Sequence, residues 1–277
     1  MPSTTGAPTT DRSFGDSLKS WRDRRGLSQL GLGLEAEVSS RHISFLENGR
    51  AHPSRAMVLK LAHALDLPLR ERNDLLLIAG FAPRYEQRSL ESADIQEARR
   101  ALQFILDAHE PYPAFVLDRY WQIVLWNRTQ EVLLSELVGS HGSPSDINAL
   151  DLVFKPGMGR EQFLNWDEVA RAVLRRLRRQ VVRVGPDDPL HRRWVDIQGL
   201  PGVAELGLAE DSDRSPPILV PMRIRNGDSV FTWYSTLAVF GAAGEVTLDE
   251  LVIESFFPGD DVTRAFVEQL ATQTAAL

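Results

Sequence analysis

Apolar residues recur at helical spacing along the first third of the chain. Phe14, Leu18 and Trp21 stand at i, i+4 and i+7, which marks one buried helix face, and Gly26 ends that helix. Ser28 is a good N-cap for a second helix beginning at Gln29. A polar break over residues 37–39 precedes a third helix, residues 40–47, with Ile43 and Leu46 facing inward and Asn48-Gly49 as its stop. Pro53-Ser54 opens a fourth helix whose apolar stripe is Val58, Leu61, Ala62 and Leu65. Pro68 precedes a fifth, residues 70–79, closed by Gly80.

The pattern changes after a polar linker. Ser92 caps a helix that places Ile95, Ala98, Leu102 and Ile105 on one face, and the HEPYP run at 109–113 ends it. Residues 114–118 and 120–127 are short aromatic and β-branched runs about an Asp118-Arg119 turn, which predicts a hairpin. Helices are expected over 128–138, 150–154, 162–182 and 190–197, with a flexible loop at 139–146. Strands return at 218–225 and 229–240 around Asn226-Gly227, a strong hairpin signal, and at 251–257. A last helix over 260–272 sets Val262, Phe266 and Leu270 on one face.

This order predicts two domains: an all-α five-helix domain over 12–84, a linker at 85–91, and an α+β domain over 92–277. The latter has a five-stranded antiparallel sheet with helices inserted after the second strand, a PAS-like layout. Helices covering one sheet face leave a natural ligand pocket between the layers. Residues 1–11 lack the apolar core of a secretory signal and read as a disordered tail.

Composition narrows the function classes. The chain has 277 residues, no cysteine and no apolar run of the ~20 residues a membrane helix needs, which fits a reducing cytoplasm. The net charge of −7 hides an asymmetry. Residues 12–88 hold 13 Lys and Arg against 9 Asp and Glu, and the rest of the chain holds 18 against 29. A basic segment on an acidic chain points to a polyanion met by that segment alone. None of the six histidines has metal-ligand spacing, and the nucleophile elbow and both phosphate-binding glycine signatures are missing. Neither an enzyme nor a cofactor is expected.

Two short helices joined by a tight turn and packed on three others leave the third helix projecting, which suits the major groove. Its outward positions are Ser40, Arg41, Ser44 and Phe45, preceded by Ser39. Arg41 is placed to donate to a guanine and Phe45 to touch a thymine methyl, while Gln29, Asn48 and Arg50 are placed for phosphates. The alternative is a five-helix protein-binding module whose charges are a solvated face. The run GLSQLGLGLEAEVSSRHISFLENGRAHPS resembles the Xre, lambda-repressor-like helix-turn-helix family. The likeness rests on Ser28-Gln29, Val38-Ser39, Ile43, Leu46 and Glu47-Asn48-Gly49-Arg50. Double-stranded DNA is the implied partner, read by two copies on an inverted repeat. Glu37 departs from the family's usual turn glycine, at on the order of 1 kcal/mol if φ is positive there. Gly31 and Gly33 weaken the second helix by up to ~1 kcal/mol each.

The second domain resembles MmyB-like regulators through HEPYPAFVLDRYWQIVLWN, Asn165-Trp166 and VIESFFPGDD, with PLRERNDLLLIAGFAPRY at the junction. The resemblance implies a PAS-like fold and a small apolar ligand, a fatty acid. Candidate pocket walls are Trp121, Trp126, Phe163, Trp166, Phe231 and Trp233. Strand alternation puts Trp121 and Ile123 on one face, and Gln122, Val124 and Trp126 on the other. Asn127, Arg128 and Asn165 are candidate head-group anchors. Plain core for the aromatics, helix capping for the two asparagines, and a dimerisation module without ligand are the competing readings. The Arg-rich run at 175–179 is read as the wet face of an amphipathic helix.

Overall fold

A computed structural model describes residues 13–90, 92–138, 143, 146–185, 187–207, 219–239 and 244–275. The expected tail, most of the 139–146 loop and the start of the strand at 218 lie outside them. The chain divides into two units, Met1–Glu86 and Gln87–Leu277.

The first unit is built from α1 (Phe14–Arg24), α2 (Gln29–Glu35), α3 (Ser40–Glu47), α4 (Arg55–Ala64) and α5 (Leu69–Ile78). Four of these helices start on the same device. Ser13, Ser28, Ser39 and Ser54 each accept a hydrogen bond from the backbone N–H three residues on, at 2.9–3.2 Å. Each such cap is worth ~1 kcal/mol. Leu18, Leu32, Ile43, Leu46, Val58, Leu61 and Leu75 fill the core.

Glu37 does take a positive φ, +46°. Gly33 has a different role from the one its helix propensity suggests. A Cβ there would lie 2.6 Å from the Val38 carbonyl oxygen. The missing side chain lets the α2–α3 turn fold back until Val38 N–H reaches the Gly33 carbonyl at 2.8 Å.

In the second unit a 3-10 turn, Ala93–Ile95, leads into α6 (Gln96–Ala108), then β1 (Ala114–Leu117) and β2 (Ile123–Trp126). Helices α7 (Arg128–Val138), α8 (Ala149–Phe154), α9 (Trp166–Arg183) and α10 (Pro189–Gln198) follow. β3 (Met222–Asn226), β4 (Ser229–Val239), α11 (Val246–Asp249), β5 (Val252–Pro258) and α12 (Asp261–Ala275) close the unit. All strand pairs are antiparallel in the order β2-β1-β5-β4-β3, so the unit is the expected α+β, PAS-like domain. One sheet face, with Ala114, Val116, Leu125 and Ile253, packs on Leu102 and Leu106 of α6. The other, with Phe115, Leu117, Ile123 and Trp126, packs on α8 and α9.

Several details depart from the sequence reading. Residues 120–122 belong to the hairpin loop, where the Asp118 carboxylate accepts from the Tyr120 and Gln122 N–H groups at 2.8 and 2.9 Å. Trp121 sits in that loop at φ +66°. The β1–β2 register then shifts, pairing Val116 with Leu125 but Leu117 with Ile123. This bulge brings Ile123 and Trp126 onto one face, which strict alternation had separated. On α6 the buried line ends on Leu106, and Ile105 is 41 % exposed. On α12 it runs through Thr263, Val267 and Leu270, and Val262 is 61 % exposed. α9 starts at Trp166, and the residues before it bridge to β3 instead: Phe163 pairs with Ile224, and Leu164 N–H donates to the Arg223 carbonyl at 2.8 Å.

Candidate functional sites

α3 is held from below by Ile43 and Leu46, both essentially without exposure. A buried ionic knot fixes its C-terminal end. The Glu47 carboxylate, 2 % exposed, accepts from Arg22 Nε at 2.6 Å, Arg22 Nη2 at 3.1 Å and Gln29 Nε2 at 2.8 Å. Arg22 also donates to Asp23 and to the Leu27 carbonyl, each at 2.7 Å. Its hydrogen bonds to Glu47 hold the guanidinium pKa above its ordinary value, against the opposing effect of burial. α1, α2 and α3 are thereby locked into one frame. Gly15 completes it, since a Cβ there would come within 2.4 Å of the Glu47 carbonyl oxygen.

On that frame Arg41, Asn48 and Arg50 are exposed, and Ser40, Ser44 and Phe45 are half-buried. The Arg41 guanidinium lies 5.2 Å from the Phe45 ring centre, a contact that restrains its long side chain. Asn48 Nδ2 donates to the Ser44 carbonyl at 2.7 Å, and Ser39 Oγ caps α3. Gln29 is placed differently from expectation. One of its amide hydrogens is spent on Glu47, so it orders the frame and leaves a single N–H for another partner.

The second unit contains a partly open cavity of about 170 Å³ between the sheet and α7, α8 and α9. Trp121, Phe163, Phe231 and Trp233 line it, together with Leu133, Val153, Val173, Ile224 and Phe256. The other expected pocket residues lie elsewhere. Trp126 and Arg128 line a separate open groove beside α6. Asn127 is 1 % exposed and spends its whole amide on the backbone. Its Oδ1 accepts from Ala114 N and Gln130 N, and its Nδ2 donates to the Leu106 and Tyr112 carbonyls. Asn165 accepts from Arg223 N at 3.1 Å and donates to the Pro221 carbonyl at 2.8 Å, which staples the start of α9 to β3. Trp166 donates to the Val153 carbonyl and carries the Arg160 guanidinium 3.7 Å above its ring.

The charged corner of the cavity comes from residues the sequence reading passed over. Arg176, inside the Arg-rich run read as a wet face, points at the cavity. It lies 4.2 Å from the Trp121 ring centre, and its Nη1 donates to Glu254 at 3.1 Å. Trp121 Nε1 donates to Gln180 at 2.6 Å. The available signal was spacing: Val169, Val173, Arg176 and Gln180 continue one stripe of α9, so polar residues end an otherwise apolar line. Gln130 of α7 also faces the cavity.

A family model described as MmyB-like transcription regulator ligand binding domain matches residues 98–270. A helix-turn-helix model matches residues 18–72. No curated protein matches the chain.

Proposed function

We propose that this chain, which belongs to the family of MmyB-like transcription regulators, reads operator DNA with α3 and senses a fatty acid or a similar small apolar ligand in the cavity of its PAS-like unit. Arg41 and Phe45 address base edges, with Ser40 and Ser44 beside them. Ser39, Asn48, Arg50 and the remaining Gln29 N–H address phosphates. Two copies occupy an inverted repeat, and ligand acts by binding one arrangement of the reading heads more tightly than the other.

The observation that carries the sensor reading is the cavity itself. A space of about 170 Å³ walled by four tryptophan or phenylalanine side chains of the sheet would, in a purely structural core, be filled by side chains. For comparison, an engineered apolar cavity of ~150 Å³ binds benzene. The test uses full-length protein purified without detergent. Its operator is found by selection from random duplexes, its organic extract is read by mass spectrometry, and operator affinity is measured with and without added fatty acid. Co-purified lipid and a ligand-dependent shift are expected. An empty extract, with operator affinity indifferent to apolar ligands, would leave the second unit as a dimerisation module. Failure to bind any duplex at low ionic strength would remove the regulator reading as a whole.

A further inference from the structure

We infer that the cavity selects a ligand whose polar end is uncharged and both donates and accepts hydrogen bonds, carried on an apolar body of about six to eight carbons. This rests on the sensor reading above and adds the head-group chemistry.

Gln130 points to the donor-and-acceptor requirement. It is 7 % exposed, lines the cavity, and its side-chain amide makes no hydrogen bond to any described residue. Its backbone N–H is satisfied by Asn127, so the free groups are those that face the cavity. The amide atoms are not among the buried groups left without a partner; they stay accessible from the cavity, so what enters the cavity can satisfy them. The amide offers one oxygen acceptor and an N–H₂ donor, which a primary amide or an alcohol answers in both directions.

The charge requirement comes from the opposite polar group. Arg176 and Glu254 are the only charged side chains among the described residues that line the cavity, and they are already paired. Arg176 lies over the Trp121 ring, and the pair is mostly buried, at 17 % and 14 % side-chain exposure. The lining is therefore neutral as a whole. An ionised carboxylate brought to Arg176 would meet the Glu254 carboxylate in a poorly solvated space, where like charges repel strongly. A fatty acid satisfies the site in its protonated form, and an acyl amide or alcohol does so at any pH.

Calorimetric titration of the full chain at neutral pH with octanamide, sodium octanoate and toluene tests this. Octanamide should bind at least about tenfold more tightly than octanoate. Glu254→Gln should raise octanoate affinity about tenfold and shift octanamide less than about threefold, because it removes the like charge and frees the Arg176 guanidinium for a carboxylate. Gln130→Leu should weaken octanamide about tenfold and leave toluene unchanged. Octanoate binding as tightly as octanamide in the unsubstituted protein overturns the inference, and this comparison stands even if a variant misfolds. Toluene binding without amide preference sinks the head-group selection and keeps the cavity as a sensor. Binding of none of the three sinks both.

Discussion

Glu47→Ala should destabilise the DNA-reading unit without removing any surface that could touch DNA. The Glu47 carboxylate is buried and takes three hydrogen bonds, two from Arg22 and one from Gln29. Truncation strands a guanidinium whose side chain is 9 % exposed, with Asp23 and the Leu27 carbonyl as its remaining partners. Breaking a buried ion pair from one side costs ~3–5 kcal/mol. Asp23, more than half exposed, compensates part of the charge, so the lower end, about 3 kcal/mol, is expected. At ~0.05–0.15 kcal/mol per residue, residues 13–86 are stable by roughly 4–11 kcal/mol. The loss is then a large fraction of the whole. Hydrogen exchange with mass spectrometry on the intact chain reads it locally: amides of α1–α3 should exchange about a hundredfold faster, and those of the sheet should not change. Glu47→Gln keeps an acceptor and should lose about half as much. A loss below ~1 kcal/mol for Glu47→Ala, or an equal loss for both variants, would refute the view that a charged knot holds α3 in place.

Gly33→Ala should destabilise the same unit by ~1–3 kcal/mol, although alanine is the better helix former, because its Cβ would collide with the Val38 carbonyl; urea titration of the intact chain checks the sign. Arg41→Ala should weaken operator binding by ~1–3 kcal/mol and relax the sequence preference at one position, read by competition against single-base operator variants. For Asp118 the direction depends on pH. Burial is the largest influence on its carboxyl and raises the pKa, with Glu250 adding to the rise, against the hydrogen bonds from the Gln122 and Tyr120 N–H groups. The folded state therefore takes up a proton before the unfolded chain does. This contribution favours folding below the unfolded value of ~3.9 and is lost as pH climbs through the raised folded value. Asp118→Asn keeps the acceptor oxygen for both N–H groups and should be relatively more favourable at pH 7 than at pH 3, measured as the difference in Tm shift.

What could be read in advance was what depends on near neighbours in the chain. α3 was legible because its cap, inward pair and stop residues all lie within ten positions of one another. The five strands and their helices were legible from periodicity and from the Asn226-Gly227 signal. The hairpin loop in fact takes Gly227 and Asp228 between the paired Asn226 and Ser229. The bulge in β2 was not legible, because it is a property of the pair β1–β2 rather than of either run. The inward faces of α6 and α12 were each read partly wrong, with Ile105 and Val262 taken as core. Several residues around one turn of a helix are apolar, and the neighbouring element decides which of them it covers.

Among the candidate site residues, chemistry was legible and its use was not. An asparagine that could anchor a head group and one that closes a loop have the same side chain. Asn127 is of the second kind because the backbone of α6 and β1 leaves carbonyls and an N–H within its reach. Arg176 is the converse. In the sequence it is one of four arginines around Leu177, and solvent is the natural place for all four. Leu174 and Leu177 of α9 are fully buried, and that fixes the helix rotation. Rotated so, Val173 and Arg176 can only look at the sheet, where Glu254 of β5 and the Trp121 ring receive the guanidinium. A charge was brought inward by the apolar residues beside it, and a cavity with a paired, neutral corner is the consequence.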